Sequence, residues 1–163
     1  MSVKKLSLAG ILIAVGVICS TVSIPIGVAK IFPIQHFINV IAGILFGPVY
    51  AVSMAFVTSL LRNLLGTGSL LAFPGSMCGA LLCGLLYRFT HKAVFAFLGE
   101  VIGTGILGAL LAYPVAAFFL SSTIAFYGFI IPFGLSTLVG SAMAFALFAI
   151  LKEAGVIRSW IEG

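Results

Sequence analysis

The chain has 163 residues, of which 63% are apolar and only 7% charged, with a mean hydropathy of +1.36 and a net charge of +5. That leaves too little polar surface to clothe a water-soluble domain, so the sequence reads as an integral membrane protein. Its apolar runs are long and unbroken rather than short and alternating, which excludes a membrane β-barrel and predicts an all-α bundle in a single domain, 1–163.

Six runs approach the roughly 20 residues needed to cross an apolar core of about 30 Å. In chain order they are predicted at 6–26, 34–46, 49–65, 70–88, 93–113 and 129–151. The N-terminal stretch "MSVKKLSLAGILIAVGVICS" has no convincing small-residue cleavage site, and Ile18 is too bulky for a lipid-modification site at Cys19, so it reads as the first helix. Pro33 and Pro48 suit the starts of the second and third helices, where a missing N–H is no loss. The fourth, "FPGSMCGALLCGLLYR", carries two small-residue stripes, Gly75/Gly79/Cys83 and Ser76/Ala80/Gly84, that allow close helix approach in lipid. Cys19, Cys78 and Cys83 all fall in apolar spans, with a spacing that fits neither a zinc site nor a redox pair, and read as packing residues.

Basic residues set the orientation. Lys4 and Lys5 precede the first span, Arg88 and Lys92 lie between the fourth and fifth, and Lys152 and Arg158 follow the sixth. A cytoplasmic N-terminus puts all six inside, leaves Lys30 and Arg62 outside, and makes both termini cytoplasmic. The net positive charge is thereby explained by insertion, without a nucleic-acid partner.

Catalytic signatures are absent from the sequence. There is no G-x-x-x-x-G-K-[ST], no H-E-x-x-H and no G-x-S-x-G, and two histidines with three acids are a poor basis for a metal or nucleophilic centre. No enzyme activity, metal or cofactor is therefore expected. Paired broken helices in two matching halves, the mark of many alternating-access carriers, are not visible either.

The polar residues point to binding. Gln35, His36 and Asn39 share one face at the start of the second helix, and Ser59, Arg62 and Asn63 do so at the end of the third. Ser76 near the start of the fourth helix, and Tyr113, Ser121, Ser122, Thr123 and Tyr127 in the connection after the fifth, belong to the same outer end. Phe32, Phe37, Phe73 and Tyr113 add aromatic surface there, as a planar ring ligand would require. The composition fits an outward-facing pocket for an uncharged or weakly charged aromatic heterocycle.

Glu100 lies about 10 Å into the fifth helix, at 1.5 Å per residue from Ala93, with Gly103, Thr104 and Gly108 on its face. Two roles remain open from the residues alone: the floor of the pocket, or a structural partner of Arg88 or of another helix's hydroxyl. The candidate binding set is thus Gln35, His36, Asn39, Arg62, Asn63, Ser76, Glu100, Thr104 and Tyr113.

The Arg62–Asn63 pair, "FPGSMCGALLCGLLYR" at 73–88 and "GEVIGTGILGALLAYP" at 99–114, together with the length and the six spans, resemble ThiW. The resemblance covers nearly the whole chain. It implies a membrane-embedded S component of an energy-coupling factor vitamin transporter, in the cytoplasmic membrane, that binds a thiamine precursor, hydroxyethylthiazole above all. It also implies a transmembrane coupling subunit and two cytoplasmic ATPases as partners. S components commonly carry A-x-x-x-A in the first helix for docking; this chain departs from that pattern and offers Gly10-x-x-x-Ala14 as its equivalent. The competing expectation is a stand-alone homo-oligomeric channel, or a secondary carrier with Glu100 as a proton-coupling acid.

Overall fold

The computed structural model describes residues 3–26, 29–121 and 127–155; Ser122, Thr123 and Arg158 lie outside them. Among the described residues there are six helices: α1 (Val3–Ile18), α2 (Pro33–Phe46), α3 (Pro48–Leu64), α4 (Ala72–Thr90), α5 (Ala93–Phe119) and α6 (Ile130–Glu153). Four are long and apolar enough to cross a membrane, α1 with its terminal turn, α4, α5 and α6. The expected helices are all present, but α2, at 14 residues, rises only about 21 Å along its axis.

Two boundaries differ from expectation. The first helix does not run to residue 26. It tightens into a 3-10 turn at Cys19–Thr21, and a short antiparallel hairpin follows, β1 (Ile24–Ile26) with β2 (Ala29–Ile31), in which Ile24 faces Ile31. Thr21, Val22 and Ile24 are β-branched and Pro25 has no N–H to extend a helix, so the local chemistry favours extended chain. The all-α expectation holds apart from this hairpin. The fifth helix runs six residues past 113, with Pro114 inside it, and ends at Phe119.

The short α2 is the axis of the bundle. Ten of its 14 residues are buried, on every side of the helix rather than on one stripe. Gly47 makes the break to α3 in a single residue, with a φ of +81° that suits glycine, and Pro48 then opens α3 at its first turn. Around α2 pack α4, α5 and α6 through Val40, Ile44, Cys83, Ala96, Ala144 and Phe148, while α1 and α3 close the other side through Ala9, Ala42, Met54 and Ala80. Cys83 is a buried packing residue, and all three cysteines are free.

Between α4 and α5 the backbones nearly touch. A Cβ on Gly99 would sit 2.8 Å from the Cys83 Cα, one on Gly103 2.7 Å from the Gly79 Cα, and one on Gly108 2.6 Å from the Gly75 Cα. The α4 partners recur every four residues, as expected for an α-helix, whereas the α5 glycines are spaced four and then five apart. The fifth residue is absorbed by a π-helical segment over Gly103–Gly108, where the Ala109 N–H reaches back to Thr104 O. Without it, Gly108 would be rotated about 100° away from Gly75. Deleting the exposed Ile106 should therefore give a continuous α-helix with the seam intact and a near-wild-type melting temperature in detergent. Deleting Val101, between Gly99 and Gly103, should put the seam out of register and prevent recovery of folded protein.

Candidate functional site

A chain of polar contacts runs through the apolar bundle from α3 to α5. At its deep end Glu100 has 0% exposure, and its Oε1 accepts from His36 Nδ1 at 2.8 Å, Asn39 Nδ2 at 3.0 Å and Thr104 Oγ1 at 2.9 Å. A carboxylate can only accept, so Nδ1 is the nitrogen that carries the imidazole proton in this pair. Asn39 spends its second amide hydrogen on Ser76 O at 3.1 Å, which joins α2 to α4. The Thr104 hydroxyl also lies 3.1 Å from Gly75 O, so its one proton is shared between a backbone and a carboxylate acceptor. Glu100 Oε2 has no donor among the described residues.

One turn further along, Ser76 Oγ lies 3.0 Å from Ser59 Oγ, joining α4 to α3. Beyond it Arg62, 4% exposed, donates from Nη1 to Gln35 Oε1 at 3.1 Å, and its guanidinium lies 5.2 Å from the centroid of the Phe32 ring. Phe32 is held in turn by its own N–H, which donates to Ser136 Oγ on α6 at 3.2 Å. Arg62 Nε and Gln35 Nε2 are buried without a partner among the described residues.

Glycines make the room that this chain occupies. A Cβ on Gly79 would fall on Thr104 Oγ1 and 2.6 Å from Glu100 Oε2, and one on Gly140 would fall on Pro33 O and 2.9 Å from the His36 Cβ. The sequence pattern marks Gly79 as a packing residue of a stripe; its second task, clearing space for the carboxylate, is visible only once α5 is placed against it. Thr58, fully buried with an unpartnered hydroxyl, and Ser136 were not singled out by the sequence, since small hydroxyl residues are common inside membrane helices and each sits beside another, Ser59 and Thr137.

Of the candidate binding residues, the structure brings Gln35, His36, Asn39, Arg62, Ser76, Glu100 and Thr104 together. Asn63 stands apart: it is half-buried, and its Nδ2 donates to Ser59 O at 2.8 Å and Ser69 O at 3.0 Å, closing the turn between α3 and α4. Tyr113 is half-buried on α5, six residues before its end. Phe73 meets Phe56 in a tilted contact with ring centroids 5.6 Å apart, and Phe37 packs in the core beside Val40. Arg88 is exposed, and the partners of Glu100 are His36, Asn39 and Thr104.

These contacts predict the order of damage. Glu100→Ala removes the acceptor shared by three donors and leaves them buried, which should cost about 3–5 kcal/mol, read as a large fall in thermal unfolding temperature in detergent. Glu100→Gln keeps Oε1 as an acceptor and should lose markedly less. Gly79→Ala should cost about 1–3 kcal/mol by overpacking and should be rescued in part by Thr104→Ala, which removes the nearer clash.

A family model described as thiamine-precursor transporter protein (ThiW) matches residues 6–154, nearly the whole chain. No curated protein and no solved structure matches it.

Proposed function

Because the chain belongs to the ThiW family of thiamine-precursor transporter proteins, we propose that it is the membrane-embedded substrate-binding subunit of an energy-coupling factor importer, and that it captures hydroxyethylthiazole from outside the cell. The observation that carries this reading is a polar cluster inside an otherwise apolar bundle, a network from Ser59 through Ser76 and Asn39 to Glu100 and Thr104, with the Arg62–Gln35 pair beside it. Polar and ionisable groups at membrane depth are expensive and are characteristically found along substrate pathways. Gln35, His36, Asn39, Arg62, Ser76, Thr104 and Tyr113 then form or flank the ligand site, Asn63 shapes its rim through the α3–α4 turn, and Glu100 positions His36 and Asn39. With the N-terminus cytoplasmic, the Arg62 end faces outward.

The docking stripe has support of its own. On α1 the inward face is Ala9, Leu12, Ile13 and Gly16, with Gly16 against Ile38 and Thr58. Gly10 and Ala14 are exposed on the opposite face, and a Cβ on Gly10 would meet nothing within 4 Å. Small residues on an uncovered membrane helix suit close approach by another helix, here that of a coupling subunit.

Three measurements test this reading. In detergent, hydroxyethylthiazole at 100 times its dissociation constant should stabilise the protein by about 2.7 kcal/mol. The Gly10→Leu, Ala14→Leu double variant should fold and bind normally, because both positions are exposed among the described residues, yet fail to co-purify with the coupling subunit and abolish ATP-driven uptake. Accumulation by the protein alone in liposomes, driven by a proton gradient, would instead establish a secondary carrier.

A further inference from the structure

The two ends of the polar chain differ in how fully they are satisfied. At the Glu100 end three donors meet one acceptor oxygen, whereas at the Arg62 end the unpartnered groups are all donors. Arg62 donates only, so the Gln35 atom facing it has to be Oε1, and this leaves the Gln35 Nε2 hydrogens as the orphans. Phe32 covers one face of the guanidinium, so further bonding is directed to its edge, where Nε–H and an Nη2–H point the same way.

Charge adds to the donor excess. Arg62 has no ion-pair partner among the described residues: Glu100 is paired with His36, and Glu153 lies in the last turn of α6. The N-terminus of α2, the positive end of its dipole, begins beside Phe32 with no side-chain cap. At 4% exposure each, Arg62 and Gln35 are enclosed by protein rather than reaching for lipid head groups. A buried cation with orphan N–H donors calls for an anion, because burying an unpaired charge is far costlier than burying a paired one.

Resting on the ligand site proposed above, we infer that Arg62 Nε–H and Gln35 Nε2–H receive an anionic oxygen when the transported precursor carries a phosphomonoester, so that a precursor's phosphate ester binds more tightly than its free alcohol. The guanidinium edge takes two ester oxygens side by side, and the Gln35 amide takes one of them or the third.

The test is a binding panel on purified full-length protein in maltoside: hydroxyethylthiazole, its phosphate ester, the hydroxymethylpyrimidine precursor, its phosphate ester, and inorganic phosphate. The wild type should bind each ester on the order of tenfold or more tightly than its alcohol, as charge-assisted bonds to a buried Arg imply. That preference, read as the ester-to-alcohol affinity ratio within each variant, should vanish in Arg62→Met and shrink in Gln35→Leu. Should either variant fail to fold, the wild-type ester-to-alcohol ratio decides by itself. Alcohols bound as tightly as their esters would overturn the inference and leave the thiazole reading standing. An ester preference with the pyrimidine favoured over the thiazole would overturn the thiazole reading and support this one, while no binding by any compound would overturn both. If phosphocholine micelles replaced the ester in stabilising the protein through Arg62, the site would be one for lipid head groups and the inference would fall.

Discussion

A carboxylate with no exposed surface, inside a helix that spans a membrane, has to draw its stabilisation from protein donors, and the geometry of this bundle follows from that requirement at Glu100. Two of its three donors come from α2, so α2 must lie against α5. Asn39 then reaches Ser76 O, so α4 has to pass on the same side. The carboxylate and Thr104 project directly toward α4, which can approach only because residue 79 has no side chain. The Gly75/Gly79/Cys83 stripe and the α5 glycines are therefore as much a condition of the buried charge as of helix packing. The π segment in α5 belongs to the same arrangement, because it returns Gly108 to the seam immediately after Thr104 has been turned toward Glu100.

What was legible in the sequence was whatever depends on length and on residue size. Six helices, their starts at Pro33 and Pro48, the small stripes of α4 and the shared face of Glu100 and Thr104 follow from apolar run length and from the 3.6-residue period. The hairpin after α1 was missed because hydrophobicity alone does not separate a buried helix from extended apolar chain. The central position of α2 was missed because in a membrane protein an apolar side chain is equally at home facing lipid or protein. Asn39 and Asn63 show the same limit for polar residues. Each sits beside a helix end in a polar cluster, yet one amide is directed across the bundle to Glu100 and the other into its own turn. Nothing in their sequence contexts distinguishes them, since the difference is made by where α4 and α5 pass. The sequence suggested Arg88 or a hydroxyl of another helix as the structural partner of the carboxylate, and only the packing brings His36 to it.

For a member of a thiamine-precursor transporter family, the contrast between the two ends of the polar cluster fits the proposed division into scaffold and ligand site. An unsatisfied buried donor or acceptor costs about 1–3 kcal/mol, and folded proteins carry few of them. Oε2 of Glu100 is one such atom, but its neighbours are fixed by three hydrogen bonds and by the Gly79 contact, so that end behaves as a rigid joint between α2, α4 and α5. Around Arg62 the unmet groups are two side-chain donors beside the start of α2, and among the described residues one hydrogen bond and one ring contact restrain the guanidinium. A rigid floor beneath an electropositive, under-bonded upper end is the arrangement in which a ligand's oxygen recovers energy that the protein has left unrecovered. The restraint on α2 from below then has a direct consequence: Gln35 and His36 are adjacent on that helix, so the bond from His36 to Glu100 also restrains the amide that the proposal turns toward the ligand.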